Sequence, residues 1–376
     1  MRFYKYFLMG FVILFLSFNQ KILAMENDNP ASHSVVRTVN LPDEILPDEI
    51  LPDEILPVEI HVVVLSYLEQ NNLLRTGCVS KTWRQAAEKV WKTKPLNLSN
   101  RCLNEADYEA IANGFFSSLV LQRVQLVKEN VCILACSSRF TSLDLSDNVI
   151  GDDGAGKLAT ANFPLLTALN LSDNVIGDDG AGKLASANFP LLTALNLSNS
   201  SIRAEGVGLL ASANFPLLTA LDLSHNRIKA EGVGKLATAN FPLLTALNLR
   251  GNNIGDDGAG KLATANFPLL TALNLNYNGI GDKGAGLLAT ANFPLLTALN
   301  LSDNGIKAEG VGKLATANFP LLMALDLRGN NIGVRGAGLL ASANFPLLTA
   351  LDLRGNNIKA EGKEKLKSKF GEKISF

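Results

Sequence analysis

From Leu143 onward the sequence returns to itself every 26 residues, restarting at Leu169, Leu195, Leu221, Leu247, Leu273, Leu299, Leu325 and Leu351. Nine copies of the form LxxLxLxxNxIxxxGxxxLAxANFPL are visible, the last truncated. Such a period restricts the chain to a stacked array, because one unit cannot enclose its own leucines and gains a core only from its neighbours. Within a unit Leu169 and Leu171 alternate with polar neighbours at a period of two, which predicts a strand with one buried face. Ile176 continues the core, Asp179 or Asp178 is placed to cap a helix, and that helix turns Ala181, Leu184 and Ala185 inward. Asn188 before Phe189-Pro190 predicts a left-handed helix stop. Each unit thus reads as strand, turn, helix and return loop. Parallel strands stack about 4.8 Å apart whereas packed helices need roughly 8 to 10 Å, so the array curves with its strands on the concave side.

The pattern, seen in Leu166-Thr-Ala-Leu169-Asn-Leu171-Ser-Asp-Asn174-Val-Ile176, resembles the leucine-rich repeat family in its ribonuclease-inhibitor-like form. The resemblance implies an α/β solenoid: a horseshoe with parallel strands on the concave face and helices on the convex face. Regular repeats occupy 143–362. Residues 95–142 form a degenerate N-terminal repeat or cap around Leu96, Leu98 and Asn100, and 363–376, with its lysines, form a polar C-terminal cap. The Asn at the ninth pattern position, from Asn148 through Asn174 and Asn226 to Asn356, predicts a ladder of side-chain bonds to the adjoining coil. In the third unit Ser200 replaces it, which predicts a weaker rung.

Residues flanking the strand leucines should line the concave face. The candidates for partner binding are Asp147, Asp173, Asp222, His225, Arg250, Tyr277, Arg328 and Arg354, with Asp144, Asn170, Asn276, Asp326 and Asp352 beside them. Acid predominates early and arginine late, and Arg and Tyr are frequent interface anchors. Catalysis finds no support. GDDGAGKLAT at 151–160 nearly matches a phosphate-binding loop, but Leu158 stands where that loop needs a hydroxyl, two aspartates would repel phosphate, and the segment recurs with the period. His33, His61 and His225 are far apart and no nucleophile set emerges, so the chain is expected not to be an enzyme and to need no cofactor or metal. A formal net charge of −1 and the lack of any basic, aromatic-rich stretch set nucleic acid aside.

Before the repeats, residues 41–60 read LPDEI, LPDEI, LPDEI, LPVEI. Proline at every fifth position forbids a continuous helix, so 25–55 reads as an extended acidic linker. The stretch LPVEIHVVVLSYLEQNNLLRTGCVSKTWRQAAEKVW, residues 56–91, resembles an F-box through its leading Leu-Pro, its Leu-Ser-Tyr-Leu and its Val-Ser-Lys-Thr-Trp-Arg, all in order. Ile60, Val64 and Leu68 share a helix face after Pro57, and a module of 56–94 is too small to be comfortable alone. The resemblance implies an all-α module that docks the Skp-type linker subunit of cullin ubiquitin ligases, with Leu56, Pro57, Ile60, Leu65, Leu68, Val79 and Trp83 at the matching positions. The chain departs from the family at Gly77 and at His61. In F-box proteins with leucine-rich repeats, the repeats hold the target.

At the start, Arg2 and Lys5 precede the apolar run Phe7 to Phe18, which is short of the roughly 20 residues that span a bilayer. Residues 1–24 therefore read as a signal peptide cut after Ala24, with no stable membrane insertion afterwards; Met25 as the true start is the alternative. An exported protein with an F-box makes sense if a bacterium secretes it and it acts in the cytoplasm of a host cell. The competing expectation is an extracellular or cell-surface adhesion or inhibitor scaffold without any ubiquitin link. Cys78, Cys102, Cys132 and Cys136 precede the regular repeats, fit no zinc spacing, and read as buried cap thiols or, after export, as disulfides in one of three pairings.

Overall fold

The computed structural model describes residues 95–103, 105–113 and 116–376. The expected signal peptide, linker, F-box module and Cys78 lie outside the described residues. Strands and helices alternate throughout. The strands are β1 (Leu96–Asn97), β2 (Ser118–Val120), β3 (Ser142–Asp144), β4 (Ala168–Asn170), β5 (Ala194–Asn196), β6 (Ala220–Asp222), β7 (Ala246–Asn248), β8 (Ala272–Asn274), β9 (Ala298–Asn300), β10 (Ala324–Asp326), β11 (Ala350–Asp352) and β12 (Ile374–Ser375). The helices between them are α1 (Glu105–Asn113), α2 (Lys128–Leu134), α3 (Gly151–Thr160), α4 (Gly177–Ala185), α5 (Ala204–Ala211), α6 (Lys229–Leu236), α7 (Gly255–Leu262), α8 (Asp282–Leu288), α9 (Ala308–Leu314), α10 (Gly333–Leu340) and α11 (Ala360–Phe370).

All twelve strands form one parallel sheet in sequence order. From β3 to β11 the register is the same at each step, leucine beside leucine, as in Leu169↔Leu195 and Leu325↔Leu351. Among the described residues each helix packs on its sequence neighbours, α3 on α4 and α4 on α5, as a solenoid requires. Between the layers lie Leu169, Leu171, Ile176, Ala181 and Leu184 and their counterparts in each unit, all buried. Phe140 and the Phe of each NFPL segment add a spine, with ring centroids 6.3 to 6.4 Å apart along Phe140, Phe163, Phe189 and Phe215.

The Asn ladder forms. Asn174 Nδ2 donates to the Leu145 carbonyl of the preceding unit at 2.8 Å, and its Oδ1 accepts from the Ile150 N–H at 3.3 Å. Asn226, Asn252, Asn278, Asn304, Asn330 and Asn356 each reach back in the same way. Ser200 is buried, but its hydroxyl is shared between the Leu171 and Ser198 carbonyls at 3.2 Å each. The bond that Ile150 and Ile202 make to the next unit's Asn has no counterpart from Ile176 to Ser200. A second ladder runs beside it, in which Thr167 Oγ1 donates to the Thr141 carbonyl and Thr193 Oγ1 to that of Thr167.

Four local expectations change. Asp178 does not cap its own helix: α4 begins after Ile176 without a side-chain cap, and Asp178 Oδ1 accepts instead from the N–H groups of Arg203, at 2.7 Å, and Gly206, at 2.9 Å, capping α5 of the next unit. Asp256 and Asp282 cap α8 and α9 likewise. Asn188 is not left-handed. The helix closes through three-residue bonds, Ser186 N–H to Lys183 and Ala187 N–H to Leu184, which leaves no need for such a stop. Ala185 is half-buried, and Gly180 and Ala187 take the inward places beside Ala181 and Leu184. Cys102, Cys132 and Cys136 are exposed free thiols rather than buried ones; those of Cys132 and Cys136 donate to carbonyls one helical turn back.

At the ends, residues 95–142 hold two strand–helix units, β1–α1 and β2–α2, spaced more closely than the regular ones. The segment assigned to the polar cap continues α11 to Phe370, buries Leu366 and Phe370, and returns through Gly371, at φ 66°, into β12. That strand covers the free edge of β11.

Candidate functional site

The strand face opposite the helices borders a cavity of ≈ 690 Å³ lined by residues of β3 to β11, so the sheet lies on the concave side. Its side chains form columns because the register never shifts. One column is alanine from Ala168 to Ala350, a smooth floor. The next is Asp or Asn: Asp144, Asn170, Asn196, Asp222, Asn248, Asn274, Asn300, Asp326 and Asp352. Each turns an oxygen back on the backbone N–H two residues on, as Asp222 does to Ser224 at 2.8 Å, which fixes its rotamer. Asp222 also accepts from Asn248 Nδ2 at 2.8 Å. This column is half-buried and already engaged.

Variation begins where the strands end. The position before the ladder Asn is left-handed in every regular unit: Asp147 (φ 56°), Asp173 (57°), Asn199 (49°), His225 (53°), Gly251 (67°), Tyr277 (57°), Asp303 (51°), Gly329 (65°) and Gly355 (71°). The left-handed region favours Gly, Asn and Asp, so the aspartates there meet a backbone demand first. Tyr277 does not. It is 65% exposed in a conformation that penalises a bulky side chain, and nothing in the packing requires an aromatic there.

The arginines divide into two kinds. Arg354 pairs with Asp352 at 2.5 Å, Arg328 reaches Asp303 at 3.5 Å, and Arg123 of the β2–α2 loop pairs with Asp147. The Arg354 guanidinium holds the Asp352 carboxyl below the ordinary carboxylate range. Arg250 enters no ion pair among the described residues. The late arginines are thus offset by Asp303, Asp326 and Asp352, and the two ends of the face differ less in charge than their arginines alone suggest. Sequence reasoning overlooked Arg203 and Arg227, on the loops just beyond the strands, and Lys229, the first residue of α6, because they fall outside the strand alternation. Their signal was present in the pattern: sibling units carry Gly, Asn or Ser at most of the same places.

The remaining sequence candidates separate cleanly by location. Leu56, Pro57, Ile60, Leu65, Leu68, Val79 and Trp83 lie outside the described residues. The segment 151–160 that imitates a phosphate loop is helix α3 throughout, and Asp152 and Asp153 pair with Lys183 of the next unit at 3.2 and 3.3 Å. Among the described residues no group of three or more His, Cys, Asp or Glu side chains is placed to hold a metal, and no helix is long and apolar enough to cross a membrane.

The chain matches the family model described as F-box-like over residues 49–94. It matches the Leucine Rich repeat model in eight segments, at 138–159, 164–185, 216–237, 242–263, 268–289, 294–315, 320–341 and 346–367. The unit left between the second and third segments is the one with Ser200. No curated protein matches the sequence. Among solved structures the chain is similar to the Rad7 and Elc1 complex in yeast, with 18% identity over 81% of this chain and 90% of that one and a TM-score of 0.45. It is also similar to the TLR13–ssRNA13 complex, with 22% identity, a TM-score of 0.48 and coverage of 76% of this chain and 39% of that one.

Proposed function

From a chain that is an F-box-like protein with leucine-rich repeats, we propose a non-enzymatic adaptor: the F-box-like segment docks a Skp-type subunit of a cullin ubiquitin ligase while the concave face of the repeats holds a target protein. One observation carries this, the presence of the F-box-like match at 49–94 in the same chain as the repeat array. Both are interaction modules, and an adaptor needs two binding surfaces and no chemistry of its own. The repeat face suits the second task, since its alanine floor admits close approach and Tyr277 and Arg250 stand exposed as aromatic and guanidinium anchors.

We extend the proposal to location. The leader-like residues 1–24 and an F-box are compatible if a bacterium exports the protein and it works in host cytoplasm. Passage through a eukaryotic secretory route fits poorly: of the Asn-x-Ser sites, Asn97, Asn170, Asn196 and Asn300 lie in β1, β4, β5 and β9, where a glycan would obstruct the sheet, and Asn199 lies just past β5.

The test is co-purification of the chain with a eukaryotic Skp-type subunit, beside a variant carrying Leu56→Ala, Pro57→Ala and Trp83→Ala. Retention by the parent and loss by the variant is the expected result. No retention of either removes the ligase link and leaves the exported scaffold.

A further inference from the structure

The three successive connections from β5 to α5, β6 to α6 and β7 to α7, with the first residue of α6, carry cations that enter no ion pair among the described residues. Arg203 and Arg227 face each other in a parallel bridge, which sets two exposed guanidinium-bearing residues side by side on adjacent rungs. Like charges so placed repel. The same bridge recurs at Lys307↔Asn331, where one partner is neutral. Lys229, two residues beyond Arg227, is left-handed at φ 57°, a conformation filled by glycine at Gly151, Gly177, Gly255 and Gly333 in sibling units. Arg250 is exposed on the following rung, and its carbonyl accepts from the His225 N–H at 2.7 Å.

None of these four enters an ion pair among the described residues, whereas Arg123, Arg328 and Arg354 on the same side of the array all do. Among the nearby carboxylates, Asp178 accepts from the backbone of Arg203 and Gly206, Asp222 from Ser224 and Asn248, and Glu231 pairs with Lys235. Glu205 stands in the first turn of α5. Repulsion at the bridge is a local cost that an anion arriving from outside would offset.

We propose that Arg203, Arg227, Lys229 and Arg250 form a docking rim for a carboxylate-rich, extended segment of the target protein. The cations rise from successive rungs about 4.8 Å apart, so an acidic chain laid along the array meets one or more of them at each rung. This deepens the adaptor reading by naming the chemistry of the target, but its test is independent of the F-box: failure of Skp-type binding leaves the rim in place, and failure here leaves the ligase link in place.

The experiment measures binding of a fluorescein-labelled oligo-glutamate peptide to the full chain by anisotropy, at low and at physiological ionic strength. The variant carries Arg227→Asn, Lys229→Gly and Arg250→Ser, each a residue that a sibling unit holds at that place, so the fold is not at risk. The parent should bind with an affinity that falls with salt, and the variant about tenfold more weakly. Lys365→Gln, which removes a cation already held by Glu361 within α11 and away from the strand face, should leave the affinity unchanged. Equal affinity of parent and triple variant, no binding at low ionic strength, or a preference for single-stranded RNA over the peptide would each overturn the proposal.

Discussion

Ser200 occupies the one break in the side-chain ladder of the regular units. It is fully buried, and its short hydroxyl spends its hydrogen on carbonyls within reach instead of extending an oxygen to the Ile176 N–H. Ser200→Asn restores the longer side chain that fits every other regular unit and is expected to stabilise the protein by about 1 kcal/mol, one net hydrogen bond. Thermal melting followed by circular dichroism checks it; an unchanged midpoint would mean that the rung is satisfied some other way. At the same scale, Tyr277 and the aspartates of its column differ in meaning although they share a backbone conformation. Asp147 and Asp173 have a conformational reason to be there, and Tyr277 has only its side chain to offer. The sequence alone could not make that distinction, since φ is not written in a pattern of leucines.

At the scale of elements, glycine decides how closely helices stack. A Cβ added at Gly310 of α9 would sit 2.7 Å from the Cα of Asp282 in α8, and it would crowd the carboxylate that caps α9. At Gly338 of α10 an added Cβ meets nothing within 4 Å. Gly310→Ala should therefore destabilise by roughly 1 to 3 kcal/mol, while Gly338→Ala should stabilise by about 0.4 to 1 kcal/mol. Paired urea titrations decide it, and the same sign for both would show that the close approach is not what the glycines serve. Strand, helix and core positions were legible because Leu169, Leu171, Asn174 and Leu184 recur at one period. The capping role of Asp178 was not legible, since its partners belong to the next unit and repetition says nothing of which copy a side chain serves. Nor was β12, where Ile374 carries none of the leucine pattern.

For the array as a whole, ends are the weak points, since a sheet edge leaves N–H groups able to pair with another chain. At the C-terminal end Leu351 and Leu353 donate to the carbonyls of Lys373 and Ser375 at 2.8 Å, so β12 closes that edge. Removing residues 371–376 should leave the array folded but expose β11, giving dimers or larger species that increase with concentration in light-scattering chromatography. A strictly monomeric truncated protein would count against this function for β12. The candidate face was legible in outline, through the residues flanking Leu169 and Leu171. Its charge balance was not, because ion pairs such as Arg123–Asp147 join loops 24 residues apart that only the stacking brings together.

The unvarying register from β3 to β11 also bears on inheritance. Every joint between regular units has the same strand register, so loss or gain of a whole 26-residue cassette by unequal exchange between near-identical segments closes onto a joint of that register. Such an event moves the loops bearing Arg203, Arg227 and Arg250 along the stack by whole rungs, about 4.8 Å each, without opening the core. The distance from the first strand of the array to its distinctive loops is therefore a discrete, mutable length, adjustable in a single genetic step.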